Sequence, residues 1–218
     1  MPLRIAVLAS GRGSNLQAIL DAIAAGTLDA EVVGVWSDRR DALALERASG
    51  AGIPAHVVRP REYADRVAHD AALFDSVDSA APGLIVCAGY MRLIGADVLA
   101  TRPGRLVNIH PSLLPAFKGL HTHQRALDAG VPEHGASLHY VTAELDGGPV
   151  IAQARVPVHA GDDALSLSAR VLAREHPLLV ETLRWIAAGR VRWHEEGVHV
   201  DGRPAAAPLQ LAATDRFA

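Results

Sequence analysis

Along the first half of the chain, apolar residues fall in short continuous blocks, separated by stretches where they recur every three or four positions. Arg4-Ile5-Ala6-Val7-Leu8-Ala9 is a block of strand length. A glycine-rich turn, Ser10 to Ser14, follows it. Leu16, Ile19, Leu20 and Ile23 then stripe one face of a helix that Asn15 is placed to cap. Glu31 to Trp36 predicts a second strand, Ala42 to Ser49 a second helix and Ala55 to Val58 a third strand. Arg61 to about Val77 predicts another helix, and Leu84 to Ala88 and Leu106 to Ile109 two more buried strands. This alternation predicts an α/β fold, an open, mainly parallel twisted sheet with helices on both faces.

After His110 the pattern changes. Pro111 to Thr122 predicts a long irregular loop, and about His123 to Ala129 a short helix. Ala136 to Val141 and Val150 to Val158 predict strands, in antiparallel arrangement, around a turn containing Asp146-Gly147-Gly148. Ala164 to Ala188 reads as a long amphipathic helix, Val191 to Val200 as a hairpin, and Pro204 to Ala218 as surface coil. Neither an internal repeat nor a domain linker interrupts the chain, so a single domain over residues 1–218 is expected.

Half of the 218 residues are apolar, enough for a sizeable core. The net charge of −3, with no block of like charges, argues against nucleic acid and against a membrane surface as partners. No apolar run approaches a membrane span, and no basic segment with a long apolar stretch precedes the first strand. The lone Cys87 sits in a strand of core type, so no disulfide framework can form within one chain. A cytoplasmic setting is expected.

The chemistry concentrates at Asn108-Ile109-His110-Pro111-Ser112-Leu113-Leu114-Pro115. Asn108 and His110 lie two apart on a strand and so share a face. The prolines then force the chain out of the sheet, placing the pair at a strand's carboxyl end, where open α/β sheets bind ligands. A neutral donor beside a titratable one suits stabilising an oxyanion and moving a proton. Asp146, in Glu144-Leu145-Asp146-Gly147-Gly148, is in isolation an ordinary turn residue. Beside His110 its carboxylate would favour the imidazolium and raise the pKa of the ring. Ser137 and His139 alternate on the preceding strand, which reads as a solvated strand face. Among the histidines, the spacing of His110, His121, His123, His134 and His139 fits no zinc pattern, so no metal is expected.

Ser10-Gly11-Arg12-Gly13-Ser14-Asn15 joins a strand to a helix, where free N–H groups can meet an anion. Asp38 stands where a dinucleotide's ribose would be bound, but Leu16 replaces the third glycine of that motif and the Walker Lys-Ser/Thr pair is absent. A monophosphate suits the loop better, with a plain tight turn as the alternative.

Taken together, Ser10 to Leu16, Met91-Arg92, Asn108 to Pro115, Gly119-Leu120-His121-Thr122-His123 and Glu144 to Val150 resemble the phosphoribosylglycinamide formyltransferases. These are the folate-dependent, purine-synthesis branch of the formyltransferase family. The resemblance covers nearly the whole chain, and the block from Asn108 to His123 is its most specific part. It implies a Rossmann-like fold, with about 1–110 as the nucleotide- and phosphate-binding half, about 111–200 as the folate-binding and catalytic half, and 201–218 as a tail. It implies transfer of a formyl group from 10-formyltetrahydrofolate, as co-substrate, to the amine of glycinamide ribonucleotide, with no metal, by a monomer or homodimer. By residue, it implies catalytic roles for Asn108, His110 and Asp146, with His110 protonated and donating. Gly13, Ser14, Asn15 and Glu175 would bind the ribonucleotide. Arg61, Met91, Arg92, Leu93, Ile94, Asn108, Thr142, Ala143, Glu144, Leu145 and Asp146 would bind the folate. The chain departs from the family pattern by being several residues shorter just before Arg61, and by carrying Lys118 before Gly119. Two other readings use parts of the same pattern. A formyltetrahydrofolate hydrolase (deformylase) would need the Asn, His and Asp but no ribonucleotide site. A nucleotide-binding sensor would need only the glycine turn.

Overall fold

The computed structural model describes residues 1–195 and 197–217, which divide into two compact units, Met1–Asn108 and Ile109–Ala218. In the first unit, five strands, all parallel, lie in the order β5-β4-β1-β2-β3. They are β1 (Leu3–Leu8), β2 (Ala30–Ser37), β3 (Ala55–Val57), β4 (Leu84–Cys87) and β5 (Leu106–His110), the last running across the division after Asn108. Helices α1 (Ser14–Ala24), α2 (Leu43–Gly50), α3 (Arg66–Ser79) and α4 (Ala96–Ala100) connect them. Burial on both faces explains the unbroken apolar runs: Ile5, Ala6, Val7, Leu8, Ile85 and Val86 are all fully inaccessible. Trp36, on β2, lies within this core, and its indole N–H donates to Ser76 Oγ of α3 at 2.9 Å. Cys87 is buried and its thiol is pushed up to about 12 by desolvation, so it packs as a core residue.

Two boundary expectations fail in this unit. Asn15 does not cap α1; it lies inside the helix, and Gly13 is the cap residue in a left-handed conformation. The expected helix from Arg61 is also divided. Pro60–Glu62 forms a single 3-10 turn, Tyr63 is extended, and Asp65 starts α3 by accepting a hydrogen bond from the Ala68 N–H at 2.8 Å. The aspartate ends the extended stretch by satisfying an otherwise orphaned helix N–H.

The second unit contains α5 (Thr122–Asp128), antiparallel β6 (Glu133–Tyr140) and β7 (Val150–Pro157), and the long α6 (Ala164–Ala187). Leu167, Val171, Leu178 and Leu179 give α6 a fully buried stripe, and it packs on β6 and β7. A capping box of Asp163 and Ser166 opens the helix. The hairpin is present as β8 (Val191–His194) and β9 (Gly197–Val200), with β10 (Arg203–Pro204) paired beyond it; residue 196 of the turn lies outside the described residues. The tail is not surface coil. β11 (Leu209–Gln210) pairs parallel with β7, Phe217 packs edge-on against Trp185, and Arg216 reaches the buried Glu181 at 2.8 Å. Leu211 and Phe217 are too sparse to give a periodic signal, yet both are buried. Residue 218 lies outside the described residues.

Candidate active site

In the first unit, strand order reverses at β1, which has β2 on one side and β4 on the other. Ligands of open α/β sheets bind at the carboxyl ends of such strands. The turn after β1 and the segment after β4 are tied together there. Ser10 N–H donates to Gly89 O at 3.0 Å, and Ser10 Oγ accepts from the Met91 N–H at 3.0 Å. Gly13 has φ +72°, and a Cβ on it would stand 2.7 Å from Ala44 Cα. The glycine is thus demanded by packing against α2 as well as by the turn. Ser14 and Asn15 form the first residues of α1, whose leading N–H groups have no partner inside the helix. Met91, Arg92 and Leu93 are exposed and Ile94 is half-buried. Met91 and Leu93 are 64% and 58% accessible. Arg61, on the 3-10 turn, lines the same cavity as Arg92. Asn108 is half-buried on β5.

In the second unit, His110 and Asp146 come together although the sequence separates them widely. His110 Nδ1 lies 3.4 Å from Asp146 Oδ2, and both side chains are nearly buried. On the other side of the ring, His110 Nε2 is 3.1 Å from Phe117 O. Asp146 adopts φ +46°, left-handed for a residue with a Cβ, and accepts the Gly119 N–H at 2.9 Å. Its other oxygen is 3.6 Å from His139 Nε2. A Cβ on Gly148 would fall 1.9 Å from Tyr140 O, so only glycine lets this loop close on β6 and present Asp146.

The irregular loop after His110 is held by side chains from the strands. Ser137 Oγ donates to Ser112 O at 2.7 Å and accepts the Leu114 N–H at 3.0 Å. Gln153 Nε2 donates to Leu114 O at 2.9 Å and to Ser137 Oγ at 3.0 Å. Thr122 Oγ1 donates to Pro111 O at 2.7 Å. Ser137 and His139 are therefore not on a solvated face; both are buried, at 0% and 2% accessible. Their alternation marks a shared face, but only the tertiary fold shows what covers it. Thr142 is half-buried, while Ala143, Glu144 and Leu145 are exposed. Glu144 is held by Lys118 Nζ at 2.6 Å. Glu175 is buried on α6.

The protonation of His110 reverses the expectation. Burial lowers its pKa, and this outweighs the opposing pull of Phe117 O and of Asp146. The carboxylate at 3.4 Å does not replace the water that the ring has lost. The shift favours the neutral imidazole over the imidazolium. For Asp146, burial alone would raise the pKa, but His139, the Gly119 N–H and the charge of His110 outweigh it and keep the group ionised. Both ring nitrogens of His110 face acceptors, so a proton taken up by the ring would meet a carbonyl and a carboxylate already in place. The arrangement can take a proton and give it back. The parts played by Phe117, Gly119, Ser10 and Gln153 are not legible in the sequence; three act through the backbone or a plain hydroxyl, which leaves little trace in residue type. Among the described residues no group of three or more His, Cys, Asp or Glu could hold a metal ion. No helix among them is long and apolar enough to cross a membrane.

The chain is 47% identical over 201 residues to the phosphoribosylglycinamide formyltransferase of Escherichia coli, covering 92% of this chain and 95% of that one. Its fold matches the phosphoribosylglycinamide formyltransferase of Coxiella burnetii with a TM-score of 0.91 and 48% identity, over 94% of this chain and 97% of that one. A formyltetrahydrofolate deformylase from Pseudomonas syringae superposes with a TM-score of 0.84, at 26% identity, over 92% of this chain and 66% of that one. Residues 3–183 match the formyl transferase family, and the chain belongs to it.

Proposed function

We propose that this chain transfers the formyl group of 10-formyltetrahydrofolate to the amine of glycinamide ribonucleotide, giving formylglycinamide ribonucleotide and tetrahydrofolate in purine (IMP) synthesis. The observation that carries this reading is the buried His110–Asp146 pair, two residues along β5 from Asn108, in a chain so similar to transferases of that name. The whole chain acts as one formyltransferase domain, as a monomer or homodimer in the cytoplasm; light scattering after gel filtration decides the oligomeric state.

In this reading the neutral amine attacks the formyl carbon and a tetrahedral oxyanion forms. An α-amine with a pKa of about 8 is partly neutral near pH 7, so a weak base suffices. Asn108 donates its amide N–H to the oxyanion. His110, neutral at rest, accepts the proton that the amine loses, with Asp146 stabilising the imidazolium. It then returns that proton to the departing folate nitrogen, and the carbonyl re-forms. Gly13, Ser14 and Asn15 bind the ribonucleotide phosphate at the start of α1, and Glu175 binds its sugar. Met91 to Ile94 and Thr142 to Asp146 hold the folate ring, and Arg61 its acidic end.

A deformylase would use the same Asn, His and Asp on water. The turn from Ser10 to Asn15, which offers a phosphate the start of α1, and the modest identity to the deformylase favour the transferase. The test follows folate deformylation by absorbance, with and without glycinamide ribonucleotide, in wild type and His110→Ala. Turnover that needs the ribonucleotide, and falls by about 10²–10⁴ in the variant, is expected. Turnover of equal rate without the amine identifies a hydrolase and overturns the proposal.

A further inference from the structure

Helix α3 buries one face through Leu73, Phe74 and Val77. One turn earlier on that face the helical period predicts apolar residues, and the chain has His69 and Asp70 instead. They are 0% and 4% accessible. A carboxylate at such depth is costly unless it is hydrogen-bonded and paired. Asp70 Oδ2 accepts the Gly95 N–H at 2.8 Å, and Asp70 Oδ1 lies 3.2 Å from His69 Nδ1. On the other side of the ring, His69 Nε2 is 3.0 Å from Val58 O. Tyr63 packs edge-on against the same imidazole, with ring centroids 5.6 Å apart.

The partners of this pair belong to the two first-unit segments on which the proposed donor binding falls. Gly95 directly follows Met91 to Ile94, and Val58 and Tyr63 bracket the 3-10 turn that carries Arg61. The segment from Met91 to Ile94 is pinned at its two ends. The Met91 N–H donates to Ser10 Oγ at 3.0 Å, and the Gly95 N–H donates to Asp70. Between the pins, the main chain of Arg92, Leu93 and Ile94 makes no hydrogen bond among the described residues, which leaves those amides and carbonyls to a ligand. We propose that the buried His69–Asp70 pair positions the donor-binding surface of the first unit. Asp70 sets the segment from Met91 to Ile94 through the Gly95 N–H, and His69 sets the Arg61 turn through Val58 O. Both are positioning residues that act through backbone groups. The inference rests on the reading of the chain as a user of 10-formyltetrahydrofolate. It makes affinity for the donor, and not for the ribonucleotide, depend on a pair that the helical period alone would assign to the apolar core.

The test measures the binding of tetrahydrofolate and of glycinamide ribonucleotide separately by calorimetry, so that it does not depend on turnover. Gly95→Ala is the narrowest perturbation. Its Cβ would lie 3.1 Å from Asp70 Oδ2 and, chain neighbours aside, would meet no other heavy atom within 4 Å, at a φ of −64° that alanine accepts. It should stretch the Gly95–Asp70 bond and weaken tetrahydrofolate about threefold. Asp70→Leu removes the acceptor outright and should weaken tetrahydrofolate roughly tenfold, the scale of a hydrogen bond to a charged group. Asp70→Asn keeps an acceptor for the Gly95 N–H and should bind tetrahydrofolate within about threefold of wild type. In each variant glycinamide ribonucleotide should bind within about twofold of wild type. KM should divide in the same way, rising for the formyl donor alone with kcat near that of wild type. Should Asp70→Leu fail to fold, Gly95→Ala and Asp70→Asn decide. Unchanged tetrahydrofolate affinity in Gly95→Ala and in any folded Asp70→Leu, or equal weakening of both ligands, overturns the inference and leaves the transferase reading in place. A folded wild type that binds no tetrahydrofolate overturns both.

Discussion

Gly13 gives the sharpest test of how the phosphate turn is built. Its φ of +72° costs a residue with a Cβ about 1–2 kcal/mol. The added Cβ would also stand 2.7 Å from Ala44 Cα and 2.9 Å from Ala44 Cβ. Ala44 cannot retreat freely: it is fully buried, and its N–H donates to Gly11 O at 3.1 Å. Overpacking of this kind costs a further 1–3 kcal/mol or so. Gly13→Ala is therefore expected to lose about 2–5 kcal/mol of stability, roughly 4–20 °C in Tm. Gly11 is the internal control, since a Cβ added there would meet nothing within 4 Å and its φ is not in the left-handed region. Gly11→Ala should be neutral or gain about 0.4–1 kcal/mol by restricting the unfolded chain. Urea denaturation with an unchanged m value reads both. Equal stability of the two variants, or a loss at Gly13 under about 1 kcal/mol, would refute the close-approach argument.

Three further outcomes follow from the second unit. Asp146→Asn removes a charge that raises the His110 pKa, so the ring should titrate at still lower pH; NMR of the imidazole C–H signals reads this, and an unmoved titration refutes the pairing. His134 is fully buried and its pKa is pushed from 6.5 to about 4, by burial first and then by His123. Because the folded pKa lies below the unfolded one, its contribution is whole above pH 6.5 and is lost as pH falls toward about 4. The loss should reach about 2 kcal/mol at pH 5, and His134→Phe should flatten that part of the stability profile; parallel profiles would sink the idea. Ser137→Ala strands Ser112 O, the Leu114 N–H and part of Gln153, and should cost about 2–4 kcal/mol in denaturation, whereas a loss below about 0.5 kcal/mol would mean that the loop is held by other means.

The parallel half of the fold is legible because strands buried on both faces must be apolar throughout, as Val7, Ile85 and Val107 are. The Asn108–His110 pairing is legible for an equally local reason, since residues two apart on a strand share a face. The glycine turn announces itself through a backbone requirement that few residues other than glycine meet. Helix starts are less secure. Whether Asn15 or Gly13 caps α1 depends on the approach of Ala44, more than two dozen residues away in the chain. The tail reads as coil because two buried anchors, Leu211 and Phe217, create no period. Asp146 stands out by resemblance, but its identity does not settle its chemistry. Sequence supplies the acid and the imidazole; the balance between lost hydration and a carboxylate at 3.4 Å sets the proton's preference. Local backbone geometry and periodic burial are therefore written residue by residue, whereas packing distance and desolvation are properties of the assembled fold, and those decide the charge on His110.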